Sequence, residues 1–517
     1  MDLTLFVACA FCASLLFWLT SKPRGRTPLP PGPPADPFIG HLRMMPKEKT
    51  AETFHEWTQK YGDVMYLNIF GRKMIVLGSF ETAQELLDQK GSNYSCRPKF
   101  VVYELMGWVP SLSFLQYGKQ FLKHRKMVQQ FFGRKESLGF VGIIAEESHS
   151  LLKHLARSAP GEHFHDLHRY TTSNILRVTF GHRVKSDDDI FLQLVGNLAH
   201  IMSNSGPPGN TPVDLFPWLA HLPKWFPGTY YASMARSGFE SIRKSHDFPV
   251  EVAQERMKAG NLERCFLSEH LGALGDKDDP EHLEDIKGAG ATILGAGDGS
   301  YISKYCWANK LTCSSQRYAF LLAMVLYPDC QNRGYEEILS VVGKDRLPEY
   351  NDRDSLPYLD CIIQETLRWH PVAPIGPPHR SLQDDVYNGM FIPGDTVILP
   401  NIRGMGLDER VYSNPRIFDP TRYLPSPLGK NEPRFDAAWG FGRRVCPGRH
   451  FADLAVWHAM AGILAILEIC PVKDSQGNVV LPKEEFTEGL VSQAMPFKCE
   501  LKPRSEAARH LLEQIEI

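Results

Sequence analysis

The sequence has no excess of charge of one sign. Its 57 lysines and arginines meet 59 aspartates and glutamates, for a net charge of -2, so nothing in it suggests a nucleic-acid partner. Clustered cysteine is missing as well. Eleven cysteines, an odd number, are scattered along the chain, which speaks for reduced thiols in a cytosolic setting and against a disulfide framework. Cys9 and Cys12 are spaced as C-x-x-C but lie in an apolar run, where neither a redox nor a zinc site is expected. Past residue 38 there is no internal repeat and no low-complexity block, and no break in composition divides 38–503. With 43% hydrophobic and 22% charged residues, the chain is able to build a sizeable core, and global disorder is excluded.

Leu3 to Leu19 are almost continuously apolar, about the length needed to cross a bilayer. Lys22, Arg24 and Arg26 follow at once, whereas the other flank carries only Asp2. That asymmetry places the bulk of the chain in the cytosol. The missing basic n-region favours a retained anchor over a cleaved signal peptide. Pro28-Leu29-Pro30-Pro31-Gly32-Pro33-Pro34 is too stiff to continue a helix. The expected organisation is a transmembrane anchor over 1–20, a basic and proline-rich hinge over 21–37, one domain over 38–503, and a tail over 504–517 with a helical look and no assigned role.

The pattern of the globular part is mainly α with small β-sheets. Val64–Phe70 and Met74–Leu77 read as a hairpin, and Ser79 to Leu87 as a capped helix. From about 118 to 370 the period is mostly helical. A loop rich in proline and aromatics interrupts it, from Gly206 through Phe216-Pro217-Trp218 to Gly228; it is either a substrate-access lid that dips into the membrane or a packed surface loop. Short strands return over 372–400, with Asn388-Gly389 as a tight turn.

The most informative stretch is Trp439-Gly440-Phe441-Gly442-Arg443-Arg444-Val445-Cys446-Pro447-Gly448. A long apolar helix follows, and Pro447 suits its first position. Cys446 then sits at a helix N-terminus beside two arginines, where a thiolate is favoured, and the glycines permit close approach of a large flat partner. Haem iron with an axial cysteine fits this description. The stretch resembles the haem-binding loop of the cytochrome P450 family, Phe-x-x-Gly-x-Arg-x-Cys-x-Gly, with Gly442, Arg444, Cys446 and Gly448 in place and Trp439 where phenylalanine is usual.

Other segments carry the same resemblance in the family's order. Glu365 and Arg368, with Arg422 downstream, resemble its Glu-x-x-Arg plus arginine arrangement and imply a structural lock. Tyr117 to Lys126 is similar to the helix that usually reads Trp-Arg-x-x-Arg; Phe121 and Leu122 replace the first two donors, which leaves His124 and Arg125 as expected haem-propionate contacts. Arg380 and Arg444 complete that expected set. The helix from Leu283 carries Gly288, Gly290, Gly295, Ala296 and Gly297. Each helical glycine costs about 1 kcal/mol against alanine, so the run asks for a reason: close approach of a macrocycle and dioxygen, or close packing of helices. Its end departs from the family pattern. The acid falls one place early at Asp298 and the hydroxyl is Ser300; these are the expected proton-delivery residues, although one residue turns an acid by roughly 100° around a helix. Residues 301–318 lack a clean helical period and read as extra sequence, either a divergent loop or translated intron.

The resemblance implies the cytochrome P450 fold and a haem b (iron protoporphyrin IX) monooxygenase that inserts one oxygen atom of O2 into a small apolar substrate. It implies electrons from NADPH through a cytochrome P450 reductase, docked near Lys123, Lys126, Arg443 and Arg449. It also implies a single-pass site in the endoplasmic reticulum membrane with the catalytic domain facing the cytosol. The most similar members are fungal, and a role in terpenoid-like secondary metabolism is expected by analogy. The altered Asp298-Gly299-Ser300 site leaves two alternatives: a haem-thiolate isomerase or dehydratase that needs no O2, and a protein impaired in oxygen activation.

Overall fold

The computed structural model describes residues 27–204, 211–275, 278–297 and 313–515. The expected anchor over 1–20, Asp298, Ser300 and residues 301–312 lie outside them. Among the described residues no helix is long and apolar enough to cross a membrane.

The longer helices are α1 (Thr50–Tyr61), α2 (Lys119–Phe131), α3 (Val141–Leu155), α4 (His163–Phe180), α5 (Ile190–Asn204), α6 (Tyr230–Lys258), α7 (Phe266–Leu274), α8 (Pro280–Gly297), α9 (Cys313–Leu326), α10 (Pro328–Val341), α11 (Pro357–Trp369), α12 (Arg449–Ile466) and α13 (Glu506–Gln514). The strands are β1 (Val64–Ile69), β2 (Arg72–Leu77), β3 (His379–Arg380), β4 (Asp385–Tyr387), β5 (Met390–Ile392), β6 (Val397–Pro400), β7 (Leu467–Lys473), β8 (Val479–Val480) and β9 (Cys499–Pro503). They form three small sheets, in the orders β1-β2-β6-β3, β4-β5 and β8-β7-β9. The expected hairpin is β1–β2, antiparallel with Val64 opposite Leu77. Asn388 and Gly389 turn β4 into β5 with both φ angles positive (48° and 73°), as a type I′ turn requires. Ser79 accepts from the Thr82 N–H as the expected cap.

Two helices organise the interior. α12 is buried nearly all round, from Phe451 to Ile466, and runs directly into β7. α11 starts with Pro357 at its first turn and ends at Trp369, with His370 as a non-helical C-cap before Pro371, because proline disfavours helical backbone in its predecessor. Its orphan N–H groups at Tyr358 and Leu359 donate to the Glu337 carboxylate of α10 at 2.8 and 2.9 Å. This cap comes from another helix.

Both ends of the domain reach further than the sequence pattern indicates. The Pro31 carbonyl accepts from Tyr66 N–H at 2.9 Å, and the Pro28 carbonyl from Phe391 N–H at 2.7 Å. Prolines lack an N–H but keep an acceptor, so the hinge from residue 28 is attached to the sheets. A Cβ at Gly32 would lie 2.2 Å from the Tyr66 carbonyl oxygen. In the tail, Ala508, Leu512 and Ile515 are buried beside α12, and Arg504 Nε donates to the Leu464 and Leu467 carbonyls.

The irregular look of residues 313–318 also resolves. They are the first turns of α9. Arg317 Nη1 donates to Thr171 Oγ1 at 3.0 Å, with its guanidinium 4.6 Å from the Tyr170 ring centre, and Tyr318 donates to the Phe164 carbonyl at 2.9 Å. Polar residues buried against α4 hide the apolar period that sequence reading relies on.

Candidate active site

The cysteine loop is shaped by its glycines. Gly440 and Gly442 have φ of +77° and +52°, which disfavours a side chain. A Cβ at Gly442 would lie 2.2 Å from the Leu87 carbonyl oxygen. Cys446 N–H donates to the half-buried Trp439's carbonyl at 2.8 Å, and Arg449 N–H to the Cys446 carbonyl at 3.4 Å. The helix proper begins at Arg449 with Gly448 as its N-cap. Pro447 therefore stands just outside the helix, not at its first position as the sequence suggests, because the chain makes one extra turn after Cys446. A Cβ at Gly448 would meet nothing within 4 Å, so this face of the loop is open.

Cys446 is a free, partly buried thiol. Burial pushes it up, while the Gly448 N–H, Arg125 and Arg449 act to lower it. Of these influences on the thiol, burial is the largest. A thiol that coordinates a metal is deprotonated outright, whatever its burial.

Beside the loop lie three guanidiniums. Arg444 donates through Nε to Ser95 O at 2.8 Å and through Nη2 to Leu115 O at 2.7 Å, and stacks 3.6 Å from the Phe121 ring centre. Arg97 Nη1 donates to Pro377 O and Pro378 O at 2.8 and 2.7 Å, and its buried Nε has no partner. Arg125 Nη1 donates to Val445 O at 2.6 Å. Among the described residues no carboxylate pairs with any of the three. Burial, then Arg97, push Arg444 down to about 8. Burial pushes Arg97 down to about 10, against the effect of Cys96. His379 joins them: it is buried, its Nδ1 is 2.9 Å from Tyr94 O, and burial followed by Arg97 and Arg444 keeps it neutral.

Two of the sequence candidates are engaged elsewhere. His124 Nε2 is 2.9 Å from Asp285 Oδ1 of α8, which also binds Lys123 at 2.6 Å and Gln120 at 3.0 Å. His124 and Arg125 are neighbours on α2 and so point in different directions, one to α8 and one to the cysteine loop. Arg380 pairs with Asp395 at 2.9 Å and donates to Cys96 Sγ at 3.3 Å. Successive residues of a strand face opposite sides; in β3 it is His379, not Arg380, that faces inward. Arg97 and His379 are the residues that sequence reading missed. The register of β3 would have selected His379. Nothing local marks Arg97.

Glu365, Arg368 and Arg422 form one fully buried network. Arg368 holds both Glu365 oxygens at 2.7 and 2.8 Å, and Arg422 Nε holds Oε1 at 2.9 Å. The remaining donors reach Gly406 O, Pro415 O, Ser413 O, Ile417 O and Glu432.

Gly288 and Gly295 of α8 face the chain segment before α2, whereas Gly290 faces Phe180 and Leu267. A Cβ at Gly288 would lie 1.9 Å from the Pro110 carbonyl oxygen, and one at Gly295 would lie 3.3 Å from the Trp108 ring. Thr292 Oγ1 accepts from Leu112 N–H at 3.0 Å and lies 2.9 Å from Ser111 Oγ. Of the two reasons the sequence leaves open, close packing accounts for Gly288 and Gly295, against a loop and not a helix. Gly288→Ala is expected to destabilise the protein. The helix gains about 1 kcal/mol, but overpacking costs about 1–3 kcal/mol. A fall in the urea midpoint checks this; an unchanged or higher midpoint contradicts it.

The fold and this loop define a class, a haem-dependent oxidoreductase. The family follows: the chain belongs to the cytochrome P450 family, whose model, "Cytochrome P450", matches residues 30–501. It is 34% identical over 515 residues to cytochrome P450 monooxygenase 136 of Postia placenta, covering 98% of this chain and 94% of that protein. It is 35% identical over 505 residues to cytochrome P450 monooxygenase claR of Ampulloclitocybe clavipes, covering 96% and 90%. A cytochrome P450 monooxygenase of Armillaria gallica is 32% identical over 524 residues, covering 99% and 100%. The protein is a haem-dependent monooxygenase.

Proposed function

We propose that the haem is ligated by Cys446 Sγ and that its propionates lie among Arg97, Arg125, Arg444 and His379. The observation that carries this is the set of three guanidiniums with no carboxylate partner among the described residues. A buried unpaired charge costs several kcal/mol, and an anionic group among these cations supplies the missing partner. A neighbouring carboxylate also favours a proton on His379 Nε2, which makes it a donor. The open face at Gly448 leaves room for a flat macrocycle. Once bound, the haem supplies dioxygen activation and insertion of one oxygen atom into substrate. Cys446 orients it from one side, and the cations fix its edge. Proton delivery is assigned to Asp298 and Ser300 on the sequence pattern alone. Arg97→Leu is expected to lower haem retention several-fold on gel filtration, with Arg97→Lys intermediate. Unchanged haem content in Arg97→Leu contradicts the assignment.

The same reading extends outward. The enzyme takes electrons from NADPH through a reductase and acts on a small apolar molecule of fungal secondary metabolism, terpenoid-like in character. It is held at the endoplasmic reticulum by the segment over 1–20, with the domain in the cytosol. Support for a membrane-facing side comes from a chain of rings, Phe70–Phe216 (5.4 Å), Phe216–Trp218 (6.4 Å), Trp218–Phe226 (6.4 Å) and Trp225–Phe226 (6.1 Å). Trp225 is 79% exposed, and aromatic residues favour the membrane–water interface. Lys126, Arg443 and Arg449 are exposed and have no carboxylate partner among the described residues, which suits an acidic reductase surface. Co-expression with a reductase and a screen for oxygenated metabolites tests this part; turnover without NADPH contradicts it.

A further inference from the structure

The start of α2 is held from outside the helix. Gly118 at its N-cap supplies no side-chain hydrogen bond, and its first turn carries no acidic residue, so that turn brings no negative charge of its own to the positive end of the helix. Asp285 of α8 brings one. It is 2% exposed and meets three side chains from the first two turns of α2: Lys123 Nζ at 2.6 Å, His124 Nε2 at 2.9 Å and Gln120 Nε2 at 3.0 Å. Residues spaced i, i+3 and i+4 share one face of a helix, so a single carboxylate grips that face.

The grip is a charged one. Burial by itself would raise the Asp285 carboxyl, but hydrogen bonds from Lys123, Gln120 and His124 outweigh it and hold it below the ordinary carboxylate range. His124 is fully buried, and burial, the largest influence on it, keeps it neutral in spite of Asp285. A carboxylate only accepts, so His124 Nε2 carries the ring proton. A buried anion stripped of such partners is costly, and the contact therefore resists both rotation and sliding of α2.

Arg125 follows His124 directly and lies about 100° further round the helix. Its Nη1 donates to Val445 O at 2.6 Å, next to Cys446. A shift of α2 by about 1 Å would take this contact beyond hydrogen-bond range. We infer that Asp285 is a positioning residue, which sets the rotation and height of α2 so that Arg125 meets the cysteine loop and the edge of the haem. This deepens the reading in which Arg125 holds a haem propionate, and rests on it. A carboxylate on the far side of α2 from the loop then governs how firmly the haem is kept.

The test is a double-substitution cycle, read as the rate of haem loss from the haem-loaded enzyme to excess apomyoglobin. Arg125→Leu is expected to speed the loss about tenfold, the effect of one charge-assisted hydrogen bond. Asp285→Asn is expected to speed it about threefold in the wild-type background and less than about 1.5-fold once Arg125 is leucine, because it acts through Arg125. Lys123→Met removes one of the three tethers at a side chain 40% exposed. It should follow the same pattern with a smaller effect, and it carries the test if Asp285→Asn does not fold. Equal acceleration in both backgrounds, as a general loosening of the fold would give, overturns the inference. So does haem loss unchanged by either tether substitution. If Arg125→Leu itself leaves haem loss unchanged, what fails is the placement of Arg125 at the haem edge, and the inference falls with it.

Discussion

Cys446→Ser is expected to abolish the thiolate-type carbonyl spectrum of the reduced protein and to take turnover to background. The substitution exchanges one atom for another of similar size, in a loop whose shape is set by Gly440, Gly442 and the Trp439 carbonyl. The fold should therefore persist, and far-ultraviolet circular dichroism should not change. Under the proposed ligation, what is lost is the sulfur's electron donation to iron, which a serine oxygen does not reproduce. Cys470→Ser serves as the control. Cys470 lies in β7, partly exposed, and its replacement should alter neither spectrum nor turnover. If the spectrum survives in Cys446→Ser, the ligand is elsewhere.

The largest loss of stability is expected from Glu365→Gln. Glu365, Arg368 and Arg422 each have 0% side-chain exposure. Removing the carboxylate's charge leaves two buried guanidiniums, with Glu432 as the one remaining acidic partner of Arg422 among the described residues. Breaking a buried pair in this way costs about 3–5 kcal/mol. An exposed pair gives the contrast. Arg346 and Asp352 form a two-pronged contact at 2.6 and 2.7 Å, yet Arg346→Ala should cost no more than about 1 kcal/mol, because solvent screens it. The two urea midpoints decide the matter; equal shifts would show that the buried network is not what holds α11 to the segment 406–432.

Much of the site was legible because the sequence carries it in short, ordered stretches. The cysteine loop spans ten residues, and its positive φ angles demand glycine at Gly440 and Gly442. The pairing of Glu365 with Arg368 follows from helical spacing. What was not legible depends on direction. His124 and Arg125 are both basic neighbours on one helix, and only the placement of Asp285 on α8 draws His124 away from the loop. In β3 the choice between His379 and Arg380 turns on which side of a two-residue strand faces inward. Arg97 has no local signature; it matters because Arg444 and the Pro377–Pro378 carbonyls fold against it.

The sequence alone determined the family, the thiol at the head of a buried helix and the mainly helical architecture, since each is written in contiguous residues and their period. Tertiary structure alone decided which cations gather without a counter-charge among the described residues and why α8 needs Gly288. Those facts arise from contacts between segments tens to hundreds of residues apart. No local pattern encodes which side chains such contacts leave paired and which they leave waiting for a partner.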